Sequence, residues 1–163
     1  MTAVAARTEA LPPLSRNRGF NLLWLGEGVS VLGNATTTVL LPLLAVLAFD
    51  AGPGWMGALA TAAWLPWLLV GLPAGAWVDR LPARGVMIVA DLVSAAAYAS
   101  VPAAWELGLL TLPQMVLVAF TGGVASVFFK TAYVVLLPQV VEPEHLESAN
   151  GRMFGTESAM HIA

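Results

Sequence analysis

The chain of 163 residues contains no cysteine. Disulfides, thiolate metal sites and cysteine nucleophiles are therefore excluded. Charge is scarce as well. Asp, Glu, Lys and Arg make up 10% of the residues, against about 25% in a soluble domain. The seven basic residues are scattered and build no cationic patch, so nucleic acid is not expected as a partner. There is no Walker loop, dinucleotide fingerprint or Ser-His-Asp arrangement, and no enzyme is expected. No cofactor and no metal are expected either. Glu142, Glu144, His145 and Glu147 are better explained as a helix start, where carboxylates complement the backbone dipole. What remains is apolar: 58% hydrophobic residues and a mean hydropathy of +0.79. So few charges cannot coat a globule in water, and the apolar residues run in long blocks, so the expected solvent is lipid.

Four blocks stand out, at about 20–49, 55–78, 86–105 and 112–137. A helix rises about 1.5 Å per residue, so about 20 residues cross a hydrocarbon core roughly 30 Å thick. Each block is long enough. In lipid the backbone must satisfy its own hydrogen bonds, and runs such as Val39 to Ala48 do not alternate as barrel strands do. The expected fold is all-α and membrane-integral. The connections carry breakers: Asp50-Ala51-Gly52-Pro53-Gly54, Leu81-Pro82-Ala83-Arg84-Gly85 and Glu106-Leu107-Gly108. Pro138 is expected to close the fourth helix. Residues 138–163 then form a loop and the start of a fifth helix that ends before it becomes fully apolar.

Residues 1–19 are polar and read as a cytoplasmic tail. The block after them is too long for a signal-peptide core and lacks a nearby A-x-A site, so it stays as the first membrane helix. Arg7, Arg16 and Arg18 precede that helix, Arg80 and Arg84 lie between the second and third, and Arg152 follows the fourth. The other two loops have no Lys or Arg. The positive-inside rule puts the N-terminus and the Arg80 loop in the cytoplasm of a multi-pass cell-membrane protein.

Within the helices, ionisable residues are the exceptions. One at the bilayer centre costs about 2.5–3.5 kcal/mol on insertion scales. Glu27, Asp91 and Lys130 each fall about 10 Å from the cytoplasmic ends of their helices, close enough to share one layer. On the first helix Glu27, Ser30, Asn34, Thr37 and Thr38 lie within an arc of about 100°. This stripe, with Lys130, is a candidate cavity wall for substrate or protons. Glu27 is read either as a proton-coupling carboxylate or as a structural partner of Lys130 or a group placed near the headgroups. Helix-to-helix hydrogen bonding is the competing use of such residues. Asp91 is expected to partner the Arg80 and Arg84 loop. Gly71 and Gly75 form a small-xxx-small pattern whose expected role is close helix packing. Pro42, Pro66 and Pro73 mark possible bends.

The loop Gly75-Ala76-Trp77-Val78-Asp79-Arg80-Leu81-Pro82-Ala83-Arg84-Gly85 resembles the signature G-x-x-x-D-R-x-G-R-[RK] of the major facilitator superfamily. Gly75, Asp79, Arg80 and Arg84 match; Pro82 and Ala83 replace a glycine and a basic residue. Leu23 to Asn34, and Phe128 to Tyr133 continuing through Leu137-Pro138 to Arg152, resemble the branch of siderophore and macrolide exporters. Lys130 stands where that branch often has an acid. The resemblance implies a twelve-helix fold in two six-helix halves, of which this chain holds the N-terminal four to five helices. It implies a conformational latch at Gly75, Asp79, Arg80, Arg84 and Asp91. It also implies proton-coupled efflux of small, fairly apolar molecules. The implied partners are the lipid bilayer, a small-molecule substrate, protons and the missing C-terminal helices. A small membrane-embedded interaction protein, or a non-transporting gene fragment, is the alternative of a different class.

Overall fold

The structure is a computed structural model that describes residues 18–140, leaving out the side chains of 18–25, 27, 29 and 138–140. The described residues form five helices and no strand: α1 Arg18–Phe49, α2 Pro53–Leu69, α3 Gly71–Val78, α4 Ala83–Glu106 and α5 Leu112–Val140. Ser30–Phe49 within α1, all of α4, and Leu112–Leu137 within α5 are long and apolar enough to cross a membrane. The pair α2 and α3 adds a fourth crossing when taken as one span bent by 49°. The tail at 1–17 and the segment from 141 onward, on which the acidic residues and the expected start of a further helix fall, lie outside the described residues.

The second apolar block is thus broken, where one helix over 55–78 was expected. Val70 N donates to Pro66 O and Ala74 N to Val70 O, each at 2.8 Å. Between them Pro73 has no N–H for the Leu69 carbonyl, and its ring crowds that carbonyl, so the axis turns. Pro42, Pro66 and Pro102 remain inside helices. The fourth block likewise runs past Pro138 to Val140, where an end at 137 was expected. One missing N–H removes one bond from a ladder that its neighbours keep.

The third block starts earlier than expected, at Ala83 and not Val86. The amides of Gly85 and Val86 donate to Pro82 O at 2.8 and 3.1 Å, which carries Arg84 into the first turn. The same helix ends on Gly108, with φ of 67°. Gly108 N donates to Trp105 O at 3.0 Å and Leu109 N to Ala104 O at 2.9 Å. This double return to the last turn needs a left-handed residue, which glycine supplies. Thr111 then caps α5: its Oγ1 accepts from Gln114 N at 3.4 Å, and Pro113 takes a first-turn place where no donor is required.

α5 is the hub, packed most extensively on α4 and α2 and also touching α3 and α1. One apolar cluster lies toward the Arg80 loop and includes Val78, Met87, Ala90, Ala125, Phe129 and Ala132. Trp77 of α3 stacks on Phe128 of α5 with ring centroids 6.1 Å apart. The other cluster lies toward the opposite loops and includes Leu41, Ala45, Leu59, Met115 and Val118. Many buried positions are alanine, whereas Leu68 is 78% and Leu72 90% exposed. Small residues inside and large apolar ones outside suit lipid, where close backbone approach and not water exclusion holds helices together.

The closest approach is at Gly122 and Gly123. A Cβ on Gly123 would lie 2.7 Å from Ala63 O and 2.9 Å from Pro66 Cγ; one on Gly122 would strike the Tyr98 ring at 2.9 Å. Gly71 and Gly75, expected to serve that purpose, do not. A Cβ on either meets nothing within 4 Å, because both lie beside the bend and not at a helix crossing.

Candidate functional site

Between the two apolar clusters α1 turns polar residues toward α4. Ser30 Oγ donates to Asp91 Oδ1 at 2.6 Å. One turn further along α1, Asn34 Oδ1 accepts a hydrogen bond from the Tyr98 hydroxyl. Ser30 and Asn34 are separated by about 6 Å of rise, Asp91 and Tyr98 by about 10.5 Å. Helical side chains lean toward the N-terminus, and the long tyrosine spans the difference. Ser94, midway between them on α4, is 8% exposed.

A cavity of about 20 Å³ lies among Ser30, Asn34, Asp91, Ser94, Ser126 and Lys130. That is room for about one water. Its walls come from α1, α4 and α5, with Val31, Ala125 and Phe129 as apolar lining and the exposed Lys130 at its edge. A larger groove of about 440 Å³ runs between α1 and α4 toward the Phe49 end, lined by Leu40, Leu43, Leu47, Val101, Pro102 and Trp105, with Thr37 and Tyr98 at its polar side.

Of the residues singled out from sequence, Ser30, Asn34, Asp91 and Lys130 come together at this cavity. Glu27 lies on α1 one turn before Ser30, and its side chain is outside the described residues. Thr37 and Thr38 turn their hydroxyls back on α1, donating to Gly33 O at 2.7 Å and Asn34 O at 2.8 Å. Threonine at these positions satisfies itself on the preceding turn and leaves the cavity to Ser30 and Asn34.

Asp91 was grouped with the Arg80 and Arg84 loop, but its carboxylate accepts from Ser30. With α4 starting at Ala83, Asp91 is eight residues along it, about 12 Å from the loop. Gly75, Asp79, Arg80 and Arg84 stay together at that loop. Asp79 closes α3, its amide donating to Gly75 O at 3.0 Å. It does not cap the next helix: the N-cap of α4 is Pro82, with no side-chain cap bond. The side chains of Asp79, Arg80 and Arg84 are exposed.

Ser94, Tyr98 and Ser126 belong to the site and were not singled out from sequence. For two of them the signal was present: Asp91, Ser94 and Tyr98 follow i, i+3, i+7 spacing, one polar stripe on an otherwise apolar helix. No family model matches the chain, and no curated protein or solved structure matches it.

Proposed function

We propose that the chain supplies the first membrane helices of a secondary active transporter of the major facilitator kind, one that expels small, fairly apolar molecules in exchange for protons. The observation that carries this is the polar layer of Ser30, Asn34, Asp91 and Lys130 among three apolar helices. Polar and ionisable groups at such a depth are expensive in lipid and mark pathways for solutes or protons. The resemblance of the Gly75 to Gly85 loop adds the family. In that reading Asp79, Arg80 and Arg84 latch one state of an alternating-access cycle at the cytoplasmic face, and further helices of the same transporter complete the substrate path. No step of bond making or breaking beyond proton transfer is involved, so the protein is not an enzyme.

The test is efflux from cells expressing the whole coding frame. Apolar dyes and siderophore-like compounds should leave against their gradient, and a protonophore should stop them. Asp79→Asn keeps size and removes charge. It should slow efflux at least tenfold at unchanged membrane abundance, since a charge-dependent latch needs the anion. Efflux indifferent to the protonophore would overturn the coupling, and full efflux by Asp79→Asn would reduce the loop to packing.

Orientation is checked separately. Leu81 is 53% and Leu107 72% exposed, at opposite ends of α4. Ala83 is buried and Gly108 left-handed, so neither suits a reporter. An impermeant maleimide on intact cells should label Leu107→Cys and spare Leu81→Cys, with no native cysteine to interfere. The reverse pattern would invert the topology.

A further inference from the structure

The link between α1 and α4 at this layer rests on two hydrogen bonds, Ser30 to Asp91 and Tyr98 to Asn34. Among the described residues α1 otherwise packs only lightly on α4 and more on α5. The two bonds differ in kind. The second joins neutral groups. The first ends on a carboxylate, and a hydrogen bond to an ionised acceptor is roughly twice as strong as one between neutral partners. The strength of the α1–α4 link therefore depends on one charge.

Asp91 is half-buried and borders a cavity with room for about one water. A proton carrier can reach it there. Among the described side chains the groups around it are few: Lys130 from α5 is charged, and Tyr98 on its own helix is titratable but turned to Asn34. The described side chains of α1 bring the neutral Ser30 and Asn34, and those of α2 and α3 bring nothing to the cavity. The acid of Glu27, one turn before Ser30, is the titratable group that the test must separate from Asp91. A carboxylate beside one cation, one hydroxyl donor and one water-sized space is equipped to exchange a proton and to register the exchange in a helix contact.

We propose that Asp91 takes up and releases a proton, and that its charge sets how tightly α1 is clasped to α4. On uptake an O–H bond forms at a carboxylate oxygen and breaks on hydronium or a buffer acid. Asp91 goes from negative to neutral, and no electron moves. The Ser30 bond changes from charge-assisted to neutral, the clasp weakens, and α1 gains freedom to move away from α4. On release the clasp tightens. This deepens the transport proposal by naming where a proton would act, and its test reads no transport, so either can fail without the other.

The absence of native cysteine allows a single reporter, Ser126→Cys, on the α5 wall of the cavity. The purified chain carrying it is treated with a small neutral methanethiosulfonate from mildly alkaline to mildly acidic pH. Rates are taken relative to the same reporter combined with Asp91→Asn, which mimics the protonated acid and keeps an acceptor for Ser30. Ser30→Ala keeps the Asp91 charge beside the thiol, so its rate against the parent separates the clasp from the effect of that charge on thiol ionisation. At alkaline pH the parent should react about five- to tenfold more slowly than Asp91→Asn, the difference between a charged and a neutral clasp. In acid the two should converge. Ser30→Ala, which deletes the donor, should react fast at every pH, a second route to the same result if Asp91→Asn folds poorly. Glu27→Gln should keep the convergence. A ratio that does not change with pH overturns the proposal. So does a pH dependence that Glu27→Gln removes and Asp91→Asn leaves intact.

Discussion

Gly123→Val is expected to remove nearly all correctly folded protein from the membrane. The Cβ of any side chain at this position lies 2.7 Å from Ala63 O and 2.9 Å from Pro66 Cγ. Real Cβ atoms do not approach a carbonyl oxygen that closely. Neither neighbour can swing aside, since one is backbone and the other a ring fused to it. α2 must therefore move off α5, the hub of the bundle, and lose packing along the whole crossing. Overpacking of this sort costs about 1–3 kcal/mol for one added group. Valine adds three carbons against rigid neighbours, and their summed cost reaches the range of about 5–15 kcal/mol that typically holds a fold together. Gly122→Val meets only the far end of the Tyr98 side chain, which can shift, so it should cost less and act chiefly by disturbing the Asn34 contact. Gly71→Ala is the control: nothing lies within 4 Å, and a small gain is expected from reduced freedom of the unfolded chain. Size-exclusion profiles and thermal melts in mild detergent check all three. A normal melt for Gly123→Val would mean that α2 and α5 do not cross there.

Leu68→Arg should block insertion of the second crossing. Leu68 is 78% exposed and lies near the middle of the span formed by α2 and α3. On the surface of a water-soluble protein such a change would be neutral or would raise solubility. In lipid the exchange of leucine for arginine near the bilayer centre amounts to about 3–4 kcal/mol, or about 100- to 1,000-fold in the insertion equilibrium. The equivalent change at the exposed Leu107, past the end of α4, should leave insertion unaltered. Membrane-fraction abundance and glycosylation mapping of the flanking loops read the outcome directly. Wild-type levels of inserted Leu68→Arg would show that this face does not meet lipid.

These two substitutions mark where sequence reasoning succeeded and where it did not. That Leu68 belongs to a membrane-crossing block is evident from hydropathy alone, because insertion depends on summed composition over about 20 residues. Which glycines permit close packing is not. Gly71 and Gly75 have the familiar four-residue spacing, yet open space lies beside them, while Gly122 and Gly123 carry the crossings. A spacing rule describes one helix, and a crossing is a property of two. The same distinction explains Asp91. Its expected depth rests on a helix starting at Val86. The turn at Pro82 moved that start, and what the carboxylate meets depends on where α1 lies beside α4.

The amino-acid sequence by itself determined that this chain is helical, that its helices are apolar enough for a bilayer, and roughly where each begins and ends. Those properties follow from local composition and from backbone hydrogen bonds closed within each segment, with no need of a partner. It also marked Ser30, Asn34, Asp91 and Lys130 as polar intruders, since each conflicts with its own surroundings in the chain. Only the tertiary structure decided that these four share one cavity, that Ser94, Tyr98 and Ser126 join them, and that Thr37 and Thr38 do not. It decided as well that the second crossing bends by 49° beside Pro73 while helices continue through Pro42, Pro66 and Pro102. The reason is common to all of these. A polar side chain chooses among its own backbone, a neighbouring helix and lipid, and a proline bends its helix or not according to what packs around it. Such choices are made by elements distant in sequence, whose distances and rotations no local pattern encodes.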